Sequence, residues 1–182
     1  MSVLIVDGYN VIHAWPRLKA LLTAGGGEEA RRALIGELAD YAAVQQLRVT
    51  LVFDGPRRVA SAAEVIDGVT VVFSGRSGSA DHLIERLVYE AARAGEAREV
   101  MVATSDRLQR DMVRAMGVAT IDATSFEQEV SAARQQTDRT LRTGREQGRF
   151  AHRVEDRLSP EVRRRLEAMR RGRRDDDAGR VD

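Results

Sequence analysis

Short apolar runs recur through the first two-thirds of the chain, each ended by a polar or glycine residue, and amphipathic stretches separate most of them. We predict strands at residues 3–6, 48–53, 69–73, 100–104 and 118–121. Because the runs are mainly apolar and do not alternate with polar residues, the strands should be buried on both faces, as in a parallel sheet. Parallel strands need long crossover connections, usually helices. The sequence therefore predicts an α/β fold: a mostly parallel sheet of about five strands flanked by helices.

Three amphipathic helices are predicted between these strands, at residues 28–46, 80–94 and 106–116. Ser79 and Ser105 are placed to cap the second and third of these helices, because a serine hydroxyl accepts a hydrogen bond from a free amide of the first turn. Ser125 and Gln128 form a capping-box pattern that predicts the start of a long polar helix. A Ser159-Pro160 pair indicates one more helix start.

The charges divide the chain into an acidic part and a basic part. Residues 1–133 carry 14 basic and 18 acidic side chains, whereas residues 134–174 carry 14 arginines and six acidic side chains. Such an arginine-rich helical surface can bind the phosphates of RNA, or it can be a solvated helix with internal ion pairs. We predict a first domain at 1–130, a basic helical extension at 131–171 and a disordered tail at 172–182.

Four aspartates come where predicted strands end or where the next helices begin. Asp7 and Asp54 follow the first two strands, Asp81 lies in the first turn after the third, and Asp106 follows the fourth. The carboxyl ends of parallel strands form one rim, so these side chains should meet. Two unit charges about 4 Å apart repel by about 4 kcal/mol at an effective dielectric of 20, and a divalent cation would relieve this. Oxygen ligands without nearby His or Cys select Mg²⁺ or Mn²⁺.

Each of these aspartates also has an ordinary explanation as a helix or turn cap. That explanation fits Asp81 and Asp106 best, because the helix dipole favours negative charge in the first turn. Asn10, three residues after Asp7, could orient that carboxylate or bind metal-bound water, or it could be a common turn residue. Trp15 could stack on a base, although packing is the favoured interpretation.

Other chemistries of parallel sheets lack their residues. No G-x-G-x-x-G follows the first strand, and neither a P-loop nor a G-x-S-x-G elbow occurs. The single lysine, Lys19, lies too early for a receiver domain or a haloacid-type phosphatase, both of which use a lysine late in the sheet. The absence of cysteine excludes zinc thiolates and thiol nucleophiles. An acidic rim with Mg²⁺ is typical of displacement at phosphorus, so a phosphodiester is the expected substrate.

Nothing in the sequence indicates a membrane segment or a signal peptide. The longest stretch without charge, residues 8–16, is far shorter than the roughly 18 apolar residues that span a bilayer. The first residues lack a basic start and an apolar run followed by a small-residue cleavage site. A cytoplasmic location without membrane contact is therefore expected.

Five segments, in order and spacing, resemble the YacP-like NYN domain family, a branch of the PIN-like nucleases. They are Val6-Asp7-Gly8-Tyr9-Asn10, Ile12-His13-Ala14-Trp15-Pro16, Val52-Phe53-Asp54, Ser79-Ala80-Asp81 with Ile84-Glu85-Arg86, and Ala103-Thr104-Ser105-Asp106-Arg107-Leu108. The resemblance covers about residues 3–130. It implies a PIN-like sheet and a metal-dependent endoribonuclease, with messenger RNA at the ribosome as the expected substrate and partner.

The resemblance also implies a set of site residues. Asp7, Asn10, Asp54, Asp81 and Asp106 would form the acidic site, with Ser105 supporting it. The four aspartates would bind Mg²⁺ or Mn²⁺, directly or through water. We expect the cations that guide RNA into the site to be Arg57, Arg58, Arg76 and Arg107.

Two other functions stay open from the residues. One is a non-catalytic RNA- or ribosome-binding module that keeps the fold and uses mainly its basic extension. The other is a metal-dependent phosphatase, or a nuclease that acts on DNA. The sequence does not determine cleavage specificity, the number of metal ions or the oligomeric state.

Overall fold

The structure is a computed structural model that describes residues 2–55, 63–75 and 78–155, with side chains described as far as residue 139. Two compact units are present, Met1–Gln136 and Thr137–Asp182. The first unit contains the sheet and the residues of the candidate site. The predicted helix start at Ser159-Pro160 and the predicted tail at 172–182 lie outside the described residues.

The sheet has six strands in the order β3-β4-β2-β1-β5-β6. They are β1 (Val3–Asp7), β2 (Arg48–Phe53), β3 (Glu64–Ile66), β4 (Val69–Phe73), β5 (Val100–Ala103) and β6 (Ala119–Ile121). All neighbouring pairs are parallel except β3 and β4, which are antiparallel. The predicted parallel sheet is confirmed. The extra strand, β3, was not predicted. It lies at an edge of the sheet, where Val65 is 68% exposed. Because an edge strand need not be apolar on both faces, β3 lacks the apolar run that identified the other strands.

In the part of the chain that the structure describes, six α-helices connect or follow the strands. They are α1 (Gly8–Ala14), α2 (Pro16–Thr23), α3 (Gly27–Gln45), α4 (Ala80–Arg93), α5 (Arg107–Ala115) and α6 (Ala123–Glu155), with a short 3-10 helix at Ala97–Glu99. The sequence predicted α3 to α6 but not the short helices α1 and α2. None of the helices in the described part of the chain is both long and apolar enough to cross a bilayer.

Two of the predicted helix caps differ in the structure. Asp106, not Ser105, is the N-cap of α5, because its Oδ1 accepts the Gln109 amide at 3.1 Å. At the start of α6, Asp122 Oδ1 accepts the Ser125 amide at 3.0 Å, so Ser125 is a donor to the cap. In both cases the capping aspartate directly precedes the first helical residue, whereas Ser105 lies one residue earlier and Ser125 lies inside the first turn. The predicted Ser79 cap of α4 is confirmed.

Apolar side chains pack on both faces of the sheet. Alternate residues of β1 point to opposite faces, so that Val6 joins the cluster under α1, α3 and α6 while Ile5 joins the one under α4 and α5. Trp15 belongs to the first cluster, is 2% exposed, and donates from Nε1 to the Ala123 carbonyl at 2.7 Å. The packing interpretation of Trp15 is therefore confirmed.

Candidate active site

Asp7 lies at the carboxyl end of β1 and is also the N-cap of α1. Its Oδ1 accepts a hydrogen bond from the Asn10 amide at 3.1 Å, and the residue is only 8% exposed. The Asn10 side chain in turn accepts from the Ser105 amide at 2.7 Å. Since Ser105 follows β5, these bonds join the carboxyl ends of the two neighbouring strands β1 and β5.

Glycine at position 8 is required by the close approach of Phe53. A Cβ atom at Gly8 would come within 2.3 Å of the Phe53 ring, which leaves no room for any other residue. The Tyr9 ring packs edge-on against the same Phe53 ring, with the centroids 5.2 Å apart. The chain turn after Asp7 is thus held directly against the end of β2.

Asp54 connects the end of β2 to the start of α4. Its Oδ1 accepts from the Ala80 amide at 2.5 Å and from the Ser74 hydroxyl at 3.2 Å. Ala80 is the first residue of α4, whose free amides and dipole favour a negative charge at this point. The Asp54 carboxylate is therefore held beside the first turn of α4, which carries Asp81.

Asp81 and Asp106 are joined by a residue that the sequence did not single out, Gln109. Its side chain donates from Nε2 to Asp81 Oδ1 at 2.7 Å, while its backbone amide donates to Asp106 Oδ1 at 3.1 Å. The Asp106 amide donates to the buried Thr104 hydroxyl at 3.2 Å. Gln109 lies three residues after the Asp106 cap, which is the capping-box position. This spacing is the sequence signal that could have identified it.

The four aspartates share one electrostatic environment. The pKa of Asp7 is raised to about 6, chiefly by burial and also by the negative charges of Asp81, Asp54 and Asp106, against the opposing effect of the hydrogen bond from the Asn10 amide. Burial also raises the pKa of Asp81, as do Asp106 and Asp54, whereas His82 lowers it. The negative charges of the other three aspartates therefore act on Asp7, and those of Asp54 and Asp106 act on Asp81.

The donor chemistry of this rim suits a hard divalent cation, but a full set of direct ligands is not assembled. Within residues 2–55, 63–75 and 78–139, no three His, Cys, Asp or Glu side chains lie close enough together to hold a metal ion. Mg²⁺ is commonly bound through one or two carboxylates and keeps several waters. A hydrated ion of that kind would need direct contact with only one or two of the aspartates and could reach the others through water.

Ser105 and Arg107 lie on either side of Asp106. The Ser105 hydroxyl accepts from the Ala123 amide at 3.2 Å, so Ser105 links the end of β5 to the first residue of α6 as well as to Asn10. Arg107 is exposed at the first position of α5. The other three predicted RNA-guiding residues, Arg57, Arg58 and Arg76, lie outside the described residues.

A second feature that the sequence did not reveal is the pair of Arg31 and Tyr9. Arg31 Nη1 donates to the Tyr9 hydroxyl at 2.9 Å, and Tyr9 packs on Phe53, the residue before Asp54. Among the described side chains, no carboxylate lies within ion-pair distance of Arg31. Its neighbour on α3, Arg32, pairs instead with Glu28 at 2.9 Å. Among the described side chains, Arg31 is therefore a cation without a counterion near the end of β2.

Comparison with known proteins gives consistent matches along nearly the whole chain. The family described as "YacP-like NYN domain" matches residues 4–171. The protein YacP of Bacillus subtilis (strain 168) is 34% identical over 184 residues, which cover 94% of this chain and 98% of YacP. The family match continues beyond residue 130, where the resemblance noted in the sequence ended. The basic extension at 131–171 is therefore part of the sequence that the family model matches.

Two solved structures have the same fold. A crystal structure of Rae1 (YacP) from Bacillus subtilis superimposes with a TM-score of 0.66 at 32% identity and covers 96% of this chain and 98% of its own. A single-site mutant of that protein gives a TM-score of 0.67 at 31% identity, with coverage of 93% and 99%.

Proposed function

The chain belongs to the YacP-like NYN domain family, and from this premise we propose that it is a metal-dependent endoribonuclease. Family membership indicates a nuclease-type function. The observation that carries the proposal is the grouping of Asp7, Asp54, Asp81 and Asp106 on one rim, where the other three raise the pKa of Asp7, and Asp54 and Asp106 also raise that of Asp81. A cluster of carboxylates that destabilise one another's charged forms is suited to binding a divalent cation.

The four aspartates are the residues that would hold Mg²⁺ or Mn²⁺, directly or through water. When bound, such an ion supplies a more acidic water and stabilises negative charge on phosphodiester oxygens. The remaining residues have positioning roles. The Asn10 backbone amide donates to the Asp7 carboxylate, and the Ser105 backbone amide donates to the Asn10 side chain, so each fixes the orientation of the acceptor. The hydrogen bonds therefore hold the side chains in place before a cation arrives.

RNA is the substrate that fits the surroundings of the rim. A polyanionic strand approaching four carboxylates is repelled unless cations flank them. Arg107 beside Asp106 and Arg31 beside the end of β2 are described cations suited to that role, and Arg57, Arg58 and Arg76 are proposed for it as well. The arginine-rich extension at 131–171 adds a surface for RNA or for the ribosome, and messenger RNA is the proposed physiological substrate.

The test is cleavage of a labelled single-stranded RNA by the full chain in Mg²⁺, Mn²⁺ or EDTA. We expect cleavage with either metal, none in EDTA, and a loss on the order of 1,000-fold or more in Asp7→Asn. Asp40→Asn, which changes an exposed aspartate of α3, is the matched control and should cleave normally. Parallel reactions with DNA and a phosphate monoester separate the RNase from a DNase or a phosphatase.

A non-catalytic RNA- or ribosome-binding module is the second candidate. It is favoured by the absence, among the described side chains, of three acidic residues close enough to bind one ion directly, together with the arginine-rich extension. RNA binding by the wild-type chain without metal-dependent cleavage of any RNA would support this candidate and reject the nuclease. Cleavage by Asp7→Asn at the wild-type rate would reject the assigned site.

A further inference from the structure

Gln109 is a buried neutral side chain placed between charged ones. It is 4% exposed, in the first turn of α5, whereas Asp81 and Asp106 on either side of it are exposed. Through Nε2 and its backbone amide it binds carboxylates that belong to two different helices, at 2.7 Å and 3.1 Å. A single residue thus joins the first turn of α4 to the first turn of α5.

The carbonyl end of the same side chain is not satisfied. Oε1 of Gln109 is buried and has no hydrogen-bond partner in the described part of the chain. A buried acceptor without a partner destabilises the fold. Rotating the amide by 180° would not help, because Oε1 would then face Asp81 Oδ1, and two acceptors would meet. A leucine or methionine would fill the same space without this cost, so stability does not explain a glutamine here.

What the amide does provide is a donor without a charge. Asp81 lies on an exposed first turn within electrostatic range of Asp106 and Asp54, and repulsion from both favours rotation of its carboxylate toward solvent. The Nε2 hydrogen bond opposes that rotation. A lysine or arginine at this position would also hold Asp81, but its positive charge would compete with a bound cation.

We propose that Gln109 is a positioning residue, which holds the Asp81 carboxylate beside the capped Asp106 so that the two can share a cation. This inference rests on the proposed metal-dependent function and assigns a role within it to a residue outside the acidic set. Residues that orient metal ligands in this way typically contribute 10- to 100-fold to metal affinity or activity.

The experiment compares Gln109→Leu with the wild type as full-length chains. Leucine keeps the size and removes both the donor and the unpaired acceptor. In EDTA, we expect Gln109→Leu to unfold at the same temperature as the wild type or higher. In the same preparation, Mn²⁺ affinity measured by electron paramagnetic resonance should fall by about 10- to 100-fold. Cleavage at a fixed, subsaturating Mn²⁺ concentration should fall with it, while the KM for RNA stays unchanged.

Two further variants separate positioning from packing. Gln109→Met keeps the length of the side chain without adding a charge but removes the donor, and it should lose Mn²⁺ affinity as well. Gln128→Leu, which changes an exposed glutamine of α6, is the control and should leave Mn²⁺ affinity unaltered.

The outcomes distinguish this inference from the proposed function. A Gln109→Leu chain that unfolds at a lower temperature yet binds Mn²⁺ like the wild type would show a structural role and overturn the inference. A wild-type chain that binds Mn²⁺ without cleaving RNA, with weaker binding in Gln109→Leu, would support the inference while overturning the nuclease. A wild-type chain that binds no Mn²⁺ would overturn both.

Discussion

Two regions built on the same strands differ in how well their polar groups are hydrogen bonded. One is the rim at the carboxyl ends of the strands. The other is the apolar cluster under α1, α3 and α6, which we call the apolar layer. In the apolar layer, Trp15 and Phe126 are almost fully buried, and the one polar atom of Trp15 is hydrogen bonded. At the rim, Asp7 is buried with a raised pKa, and Gln109 Oε1 has no hydrogen-bond partner among the described residues. Adjacent residues of β1, Val6 and Asp7, belong to the two regions.

This difference indicates which region provides the stability of the fold. Apolar burial stabilises the layer, in which the Trp15 Nε1 group is hydrogen bonded, whereas the rim contains a buried carboxylate with a raised pKa. Substitutions that remove a polar group should therefore have opposite effects on stability in the two regions. The following predictions test that contrast, beginning with the largest effect.

Trp15→Ala should lower the free energy of unfolding by about 3–5 kcal/mol. The substitution leaves a cavity beside Phe126, whose ring centroid is 5.6 Å from that of Trp15, and it leaves the Ala123 carbonyl without its donor. Urea unfolding followed by circular dichroism measures the change. Trp15→Phe is the control and should lose less, because it keeps most of the volume. A loss below about 1 kcal/mol for Trp15→Ala would show that the layer is not the main source of stability.

Asp7→Asn should have the opposite sign and a pH dependence. Burial raises the pKa of Asp7 from 3.8 to about 6 in the folded chain, so between about pH 4 and pH 6 the folded state binds more protons than the unfolded state. This contribution to stability is present below pH 4 and is lost as the pH rises to about 6. Asparagine also caps helices well, and it has no charge to bury.

The stability difference between Asp7→Asn and the wild type should therefore grow from pH 4 to pH 6 and then level off, at no more than about 3 kcal/mol in favour of the variant. Urea unfolding in EDTA across this range measures it. Val6→Ala, one residue earlier in the apolar layer, is the control and should be destabilising at every pH. A destabilised Asp7→Asn at pH 7 would contradict the contrast between the two regions.

The sequence predicted the parts of the fold that follow from local pattern. The strands β2 and β4 were located to the residue, because each is a run of mainly apolar residues that ends at an aspartate or a serine and glycine. The edge strand β3 and the short helices α1 and α2 were missed, since their positions depend on what they pack against. The placement of four aspartates at one edge of the sheet was also predicted, because the carboxyl ends of parallel strands lie together.

Contacts between elements could not be read from the residues alone. Glutamine and arginine are common in helices, and the functional interpretation of Gln109 on α5 and of Arg31 on α3 comes from the partner of each. For Gln109 that partner is Asp81 on α4, and for Arg31 it is Tyr9 on α1. Both contacts depend on how the helices pack on the sheet, which no local pattern encodes.

The smallest predicted effect distinguishes two neighbouring arginines of α3. Arg31 is held by the neutral Tyr9 hydroxyl near the end of β2, whereas Arg32 already pairs with Glu28. In the proposed function Arg31 is available to an RNA phosphate and Arg32 is not. In an Asp7→Asn background, which separates binding from cleavage, Arg31→Gln should weaken single-stranded RNA binding by a few-fold. It should also reduce the slope of log affinity against log salt by about 0.7.

Fluorescence anisotropy at several salt concentrations measures both quantities, with Arg32→Gln as the matched control. The control should leave the slope close to that of the parent, because its charge is already neutralised by Glu28. Equal effects of the two substitutions would mean that RNA meets only the general charge of α3. A change confined to Arg31 would instead place the strand across the ends of β2 and β1, beside the carboxylates, and so connect the rim to its substrate.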